Sequence, residues 1–192
     1  MAVGRYEEII KRLEDLYNPK NIEGMARFGI RPEAKVLGIP MPEIRKLAKE
    51  IGKDHELALK IFNSGIHEAR ILAGLVAESE KLTEDQLEKW VKKFDSWDVV
   101  DQICMNLLYK SKIAVKNIPQ FAKREAEFEK RVAFSLIAAL ASHDKKMQDK
   151  DFIKFFSLIR EASTDERNFV KKAVNWSLRG IGKRNKQLNN RH

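Results

Sequence analysis

WDVVDQICMNLL, residues 97–108, decides the fold. Its apolar positions Val99, Val100, Ile103, Cys104, Leu107 and Leu108 recur with helical period, not with the strict alternation of a strand. The polar and aromatic groups gather at its start. Trp97 and Asp101 are four apart, so they project from one helix face. Asp98 turns about 100° away from Trp97 on a helix wheel. Asp95, in the preceding FDS, reads as a turn or cap residue.

Three other stretches share this design: HEARILAGLVAE (67–78), EKRVAFSLIAAL (129–140) and ERNFVKKAVNWSLRG (166–180). Each opens with charge or Trp; the first two then turn strongly apolar, as 97–108 does. The long helices are expected near residues 67–78, 97–109, 127–142 and 165–182, offset by 30, 30 and 38. Each follows a shorter helix and a tight turn. Helical pairs at such a period predict an all-α chain, an α-solenoid of HEAT-like repeats. Such a stack curves and offers a concave groove, in which a DNA duplex could lie. Shorter helices are expected over 5–17, 20–27, 42–51, 56–63, 84–93, 118–124 and 150–161. Thr83 with Gln86, and Ser163 with Glu166, have capping-box spacing. One domain over 1–192 is expected, with a disordered basic tail over about 184–192.

The net charge of +9 is unevenly placed. From Arg167 onward there are eight Lys or Arg and no acid; the rest of the chain is almost balanced. A one-signed patch attracts polyanions, with nucleic acid the first candidate; a solubilising tail is the alternative. No apolar run approaches the roughly 20 residues that span a bilayer, and the start, MAVGRYEEII, carries no secretory signal. A soluble cytoplasmic protein, without a membrane partner and acting as a monomer, is expected. Cys104 stands alone in an apolar helix and reads as a small buried hydrophobe. No His or Cys pair stands at ligand spacing, and phosphate-loop, dinucleotide and nucleophile motifs are absent. Neither metal nor cofactor is therefore expected.

Few residues remain to carry chemistry. Trp176 lies four after Lys172, three before Arg179 and seven after Phe169, an aromatic among bases on one helix face. That suits nucleic acid, with cations on phosphates and indole on sugar or base. Plain packing is the competing reading for Trp97 and Trp176, and the favoured one for Trp90. Arg131 pairs on spacing with Glu127, one turn earlier. Glu68 and Arg70 read as a buried ion pair, and His67 as a capping residue.

MARFGIRPEAKVLGIPMPEIRKLAKEIG (25–52), HEARILA, SWDVVDQ, EKRVAFSLIAAL and NFVKKAVNWSLRGIGK (168–183) occur in one order. On these motifs the chain resembles the bacterial and archaeal DNA alkylation repair proteins, the AlkD-like HEAT-like-repeat alkylpurine DNA glycosylases. The resemblance implies a prokaryotic, nucleoid-associated enzyme with duplex DNA containing alkylated purines as its partner. It implies hydrolysis of the N-glycosidic bond of positively charged N3- and N7-alkylpurines, without base flipping. It places the catalytic groups at Asp101, Trp97 and Trp176, a phosphate contact at Arg131 and a DNA-touching aromatic at Phe28. Lys171, Lys172, Arg179 and Lys183 join them as DNA-binding candidates on charge and helix spacing. Two other functions fit the same scaffold: a non-catalytic duplex-DNA-binding protein, and a helical-repeat protein-interaction scaffold.

Overall fold

The computed structural model describes residues 4–190. It contains helices and no strand among the described residues, with one isolated parallel bridge, Lys35 to Ile66. The chain divides into two compact units, Met1–Leu82 and Thr83–His192.

The first unit holds α1 (Arg5–Asp15), α2 (Pro19–Arg27), α3 (Met41–Ile51), α4 (His55–Phe62) and α5 (His67–Val76). α5 is buried along most of its length and packs on α4 and α3. Glu68, 1% exposed, does not rely on Arg70 for its bonding. Its carboxylate accepts backbone N–H groups from Leu37, Gly38 and Ile39 at 2.9, 2.7 and 3.3 Å. A buried carboxylate needs such donors to offset its desolvation. The loop can bring them because Gly38 adopts φ +74°, where a Cβ would fall 2.2 Å from the Asn18 carbonyl oxygen.

The second unit holds α6 (Glu84–Val91), α7 (Trp97–Asn106), α8 (Lys112–Lys116), α9 (Ile118–Ala122), α10 (Glu127–His143), α11 (Asp149–Ile153), α12 (Phe155–Glu161), α13 (Asn168–Gly182) and α14 (Lys186–Asn189). Every residue from Arg131 to Ala141 of α10 is buried. A helix apolar all round must be surrounded, and α10 packs on α7, α9 and α13. The expected long helices thus form, with a shorter helix before each.

The Thr83 capping box forms. The Ser163–Glu166 box does not. Residues Ala162–Thr164 make a 3₁₀ turn, and Ser163 donates instead to the Arg160 carbonyl. Asp165 accepts from the Arg167 N–H and guanidinium, delaying the helix start to Asn168. Arg167 and Lys130 hold this carboxyl well below the usual carboxylate range.

Residues 184–190 make specific contacts. Arg184 donates to the carbonyls of Ala141, Asp144 and Met147, and its guanidinium lies 4.3 Å from the Phe152 ring centroid. Asn185 caps α14, whose Leu188 is fully buried. The apolar anchor is a single leucine, too little to register in composition. Residues 191 and 192 lie outside the described residues.

α13 meets α10 closely at Gly180. A Cβ there would sit 3.4 Å from the Ala141 Cβ and 3.7 Å from the Ala138 Cα, ordinary contact distances. Gly180→Ala should therefore stabilise the fold by up to about 1 kcal/mol through helix propensity. Gly180→Leu should cost roughly 1–3 kcal/mol through overpacking. Urea melts of the two variants should move in opposite directions; a shared direction would refute this packing.

Candidate active site

The openings of α7, α10 and α13 meet around one carboxylate. Asp101, in the second turn of α7, has a side chain 15% exposed. Arg131, in the second turn of α10, grips it at two points: Nε donates to Oδ1 at 3.1 Å and Nη2 to Oδ2 at 2.8 Å. Ser135, one turn further along α10, donates its hydroxyl to Oδ1 at 2.7 Å. The third guanidinium nitrogen, Nη1, donates to the backbone carbonyl of Phe169 at the start of α13. Arg131 therefore ties three helices together.

Burial pushes the Asp101 carboxyl above its usual value, while the bonds from Arg131 and Ser135 pull it back. The two-point ion pair favours the ionised form. Each carboxylate oxygen has about two lone pairs. Oδ1 already accepts two bonds, and Oδ2 accepts one. Oδ2 is therefore the atom with acceptor capacity in hand.

Trp97 borders this group. The Arg131 Cζ lies 5.9 Å from its ring centroid, within cation–π range. Trp97 is half-buried. Trp90, in contrast, is 3% exposed and belongs to the core. Cys104 is fully buried, and burial pushes its thiol well up, which disarms it as a nucleophile.

Arg131 is seated differently from a surface base. It is 4% exposed, and Glu127 bonds elsewhere, accepting the Phe169 N–H at 2.9 Å. A group so enclosed meets Asp101 first. Phe169 packs on Phe128, with ring centroids 5.5 Å apart, and carries the Lys172 ammonium 5.8 Å from its ring centroid. Trp176 lies two turns beyond Phe169 on α13 and is half-buried; Lys171, Lys172, Arg179 and Lys183 are exposed. Lys171 pairs with Glu166 at 2.9 Å. Phe28 follows α2 in the first unit and is 75% exposed. Among the described residues no cluster of three or more His, Cys, Asp or Glu could hold a metal. None of their helices is long and apolar enough to cross a membrane.

Ser135, Phe128 and the Phe169 carbonyl escape a reading of local spacing. Their signal is the repeat itself. Asp101 and Arg131 are 30 apart and Arg131 and Phe169 are 38 apart, the same offsets that separate the long helices. Equivalent positions of successive repeats become neighbours when the repeats stack.

The sequence profile described as DNA alkylation repair enzyme matches residues 9–191. Two curated relatives match a shorter stretch. The uncharacterized protein Lmo0209 of Listeria monocytogenes is 26% identical over 95 residues, 48% of this chain and 42% of that protein. The uncharacterized protein Lin0241 of Listeria innocua is 25% identical over the same length. The matched stretch thus spans less than half of these relatives. A solved structure superposes with a TM-score of 0.83 at 18% identity, covering 96% of this chain and 79% of the other. It represents a new family of proteins related to the HEAT-like repeat DNA glycosylases with affinity for branched DNA structures. The chain shares that all-α, HEAT-like repeat fold.

Proposed function

Because the chain belongs to the DNA alkylation repair enzyme family, we propose that it is an alkylpurine DNA glycosylase, acting as a monomer on duplex DNA. It hydrolyses the N-glycosidic bond of N3- and N7-alkylpurines without extruding the base. The observation that carries this reading is Asp101, fixed by Arg131 and Ser135 with Oδ2 still able to accept.

An alkylated N3 or N7 gives the purine a positive charge. When the C1′–N bond breaks, its electron pair goes to the base, which departs neutral and needs no general acid. Positive charge develops on the deoxyribose instead. A pre-positioned carboxylate stabilises that oxocarbenium-like state, as in glycoside hydrolysis. Oδ2 of Asp101 faces the sugar, and water then adds to C1′, releasing a proton to the carboxylate or solvent. Trp97 and Trp176 offer electron-rich faces to the cationic sugar and limit the access of bulk water. Lys171, Lys172, Arg179 and Lys183 hold phosphates in register, and Phe28 touches the duplex. Arg131 acts through Asp101 as its positioning residue.

A second reading has its own support. The ion pair also ties α7 to α10, as a purely structural bridge would, and the superposed relative is described by its affinity for branched DNA. A non-catalytic DNA-binding protein would retain DNA and release no base. Incubation with N-methylated duplex, scoring both filter retention and free methylpurine, separates the two. Release of 7-methylguanine is the expected result. Retention without release would leave the binding reading; neither would leave a protein-interaction scaffold.

A further inference from the structure

The C-terminal end of α10, remote from Asp101, carries a feature that the repair reading does not use. A cleft of about 1110 Å³ opens there, between the C-terminal end of α10 and the segment 109–116. Five lysines line it: Lys110, Lys112, Lys116, Lys145 and Lys146. Asp144 is the one acid among its lining residues, and its Oδ1 is engaged, accepting the N–H groups of Lys146 and Met147 at 2.9 and 3.0 Å. Five cations against one acid leave the lining of the cleft with an excess of positive groups. Some of that charge complements the carbonyl end of α10. One helix end, equivalent to about half a charge, does not call for five cations.

Two of the lining residues carry aromatic rings. Tyr109 and His143 stack with ring centroids 5.1 Å apart and planes tilted by 33°. The Lys110 ammonium lies 5.3 Å from the Tyr109 centroid. Leu140 and Val115 supply apolar wall. Cations around aromatic rings match one chemistry closely: phosphates along a strand, with an unstacked base laid on a ring. A paired duplex presents its phosphates but keeps its bases stacked inside, so it would leave the rings unused. An acidic peptide would satisfy the lysines but not the rings.

We infer that this cleft binds an unpaired nucleic-acid strand, with Lys112, Lys116 and Lys145 on its phosphates and a base on Tyr109. The site stands whether or not Asp101 releases bases.

Fluorescence anisotropy on the full chain tests this, with a labelled 12-nucleotide single strand as probe over a range of salt. Lys112→Ala/Lys116→Ala/Lys145→Ala should weaken binding about 10-fold or more and flatten the slope of log K against log salt by about 0.7 per lost phosphate contact. Tyr109→Ala should weaken it roughly 5-fold or more with the slope kept, since stacking releases no counterion. Methylpurine release from duplex, if present in the wild type, should be unchanged in both variants. Undiminished strand binding with an unchanged slope in the triple variant would overturn the proposal. So would a Tyr109→Ala variant that binds like wild type, or equal competition by poly-glutamate, which would make the occupant an acidic chain. Circular dichroism of each variant excludes loss of fold as the cause.

Discussion

Asp101→Asn should cut 7-methylguanine release by about 10²- to 10³-fold, the scale of losing one pre-positioned electrostatic group. The substitution keeps size and shape and removes the charge. Retention of duplex should change little, because the phosphate contacts are proposed for the exposed bases of α13 instead. Asparagine leaves the Arg131 guanidinium, 4% exposed, without its counter-charge. The variant should therefore melt earlier, and the assay belongs well below its melting temperature. The pH profile supplies an independent check. The proposed mechanism needs the carboxylate form, and burial pushes its pKa upward. Wild-type release should thus decline as pH falls, with its midpoint above the ordinary value of about 3.9. The residual rate of the Asn variant should be flat across that range. Equal release by variant and wild type would end the assignment of Asp101.

Arg131→Ala should be among the most destabilising single changes in the second unit. It removes the bonds to both Asp101 oxygens and the donor to the Phe169 carbonyl. Breaking a buried pair by deleting one partner costs about 3–5 kcal/mol, because the other charge stays behind. The Asp101 carboxyl would then lose the partner that pulls its pKa down, and should titrate higher still. Since the folded variant would favour the protonated acid, its stability deficit should shrink as pH falls through that raised value. Replacing both partners, as Asp101→Leu/Arg131→Met, should recover much of the stability and none of the release. Urea titration of the single and double variants at two pH values reads each effect. A single variant as stable as wild type would show that the ion pair contributes nothing to holding α7, α10 and α13 together.

The sequence carries the helices better than it carries the site. Apolar period placed α7 at Trp97 and α10 at Glu127, because those faces are set by local spacing and buried along their length. Boundaries depart from the period at two places, and at the first a side chain competes with the helix. Asp165 took the Arg167 N–H, and the segment expected over 150–161 breaks at Lys154 into α11 and α12. α8 and α14 were missed, since each is too short to show a period. At the site, Trp97 and Asp101 were legible as one face. One-turn spacing pairs Arg131 with its own-helix neighbour Glu127, whereas its partner Asp101 lies 30 residues away on α7. That separation is the repeat offset, which polar positions obey as well as apolar ones.

α10 is also a spacer of fixed length. Arg131 grips the candidate carboxylate near one end, and His143 stacks on Tyr109 at the other. Their separation of twelve positions spans about 18 Å at 1.5 Å per residue, and the buried run from Arg131 to Ala141 leaves it little room to bend. At about 3.4 Å per nucleotide along one strand of a duplex, that is roughly five nucleotides. On the two proposed assignments, the helix sets a gauge between the place for a damaged sugar and the place for an unpaired base, and inserting or deleting one turn within it would change the gauge.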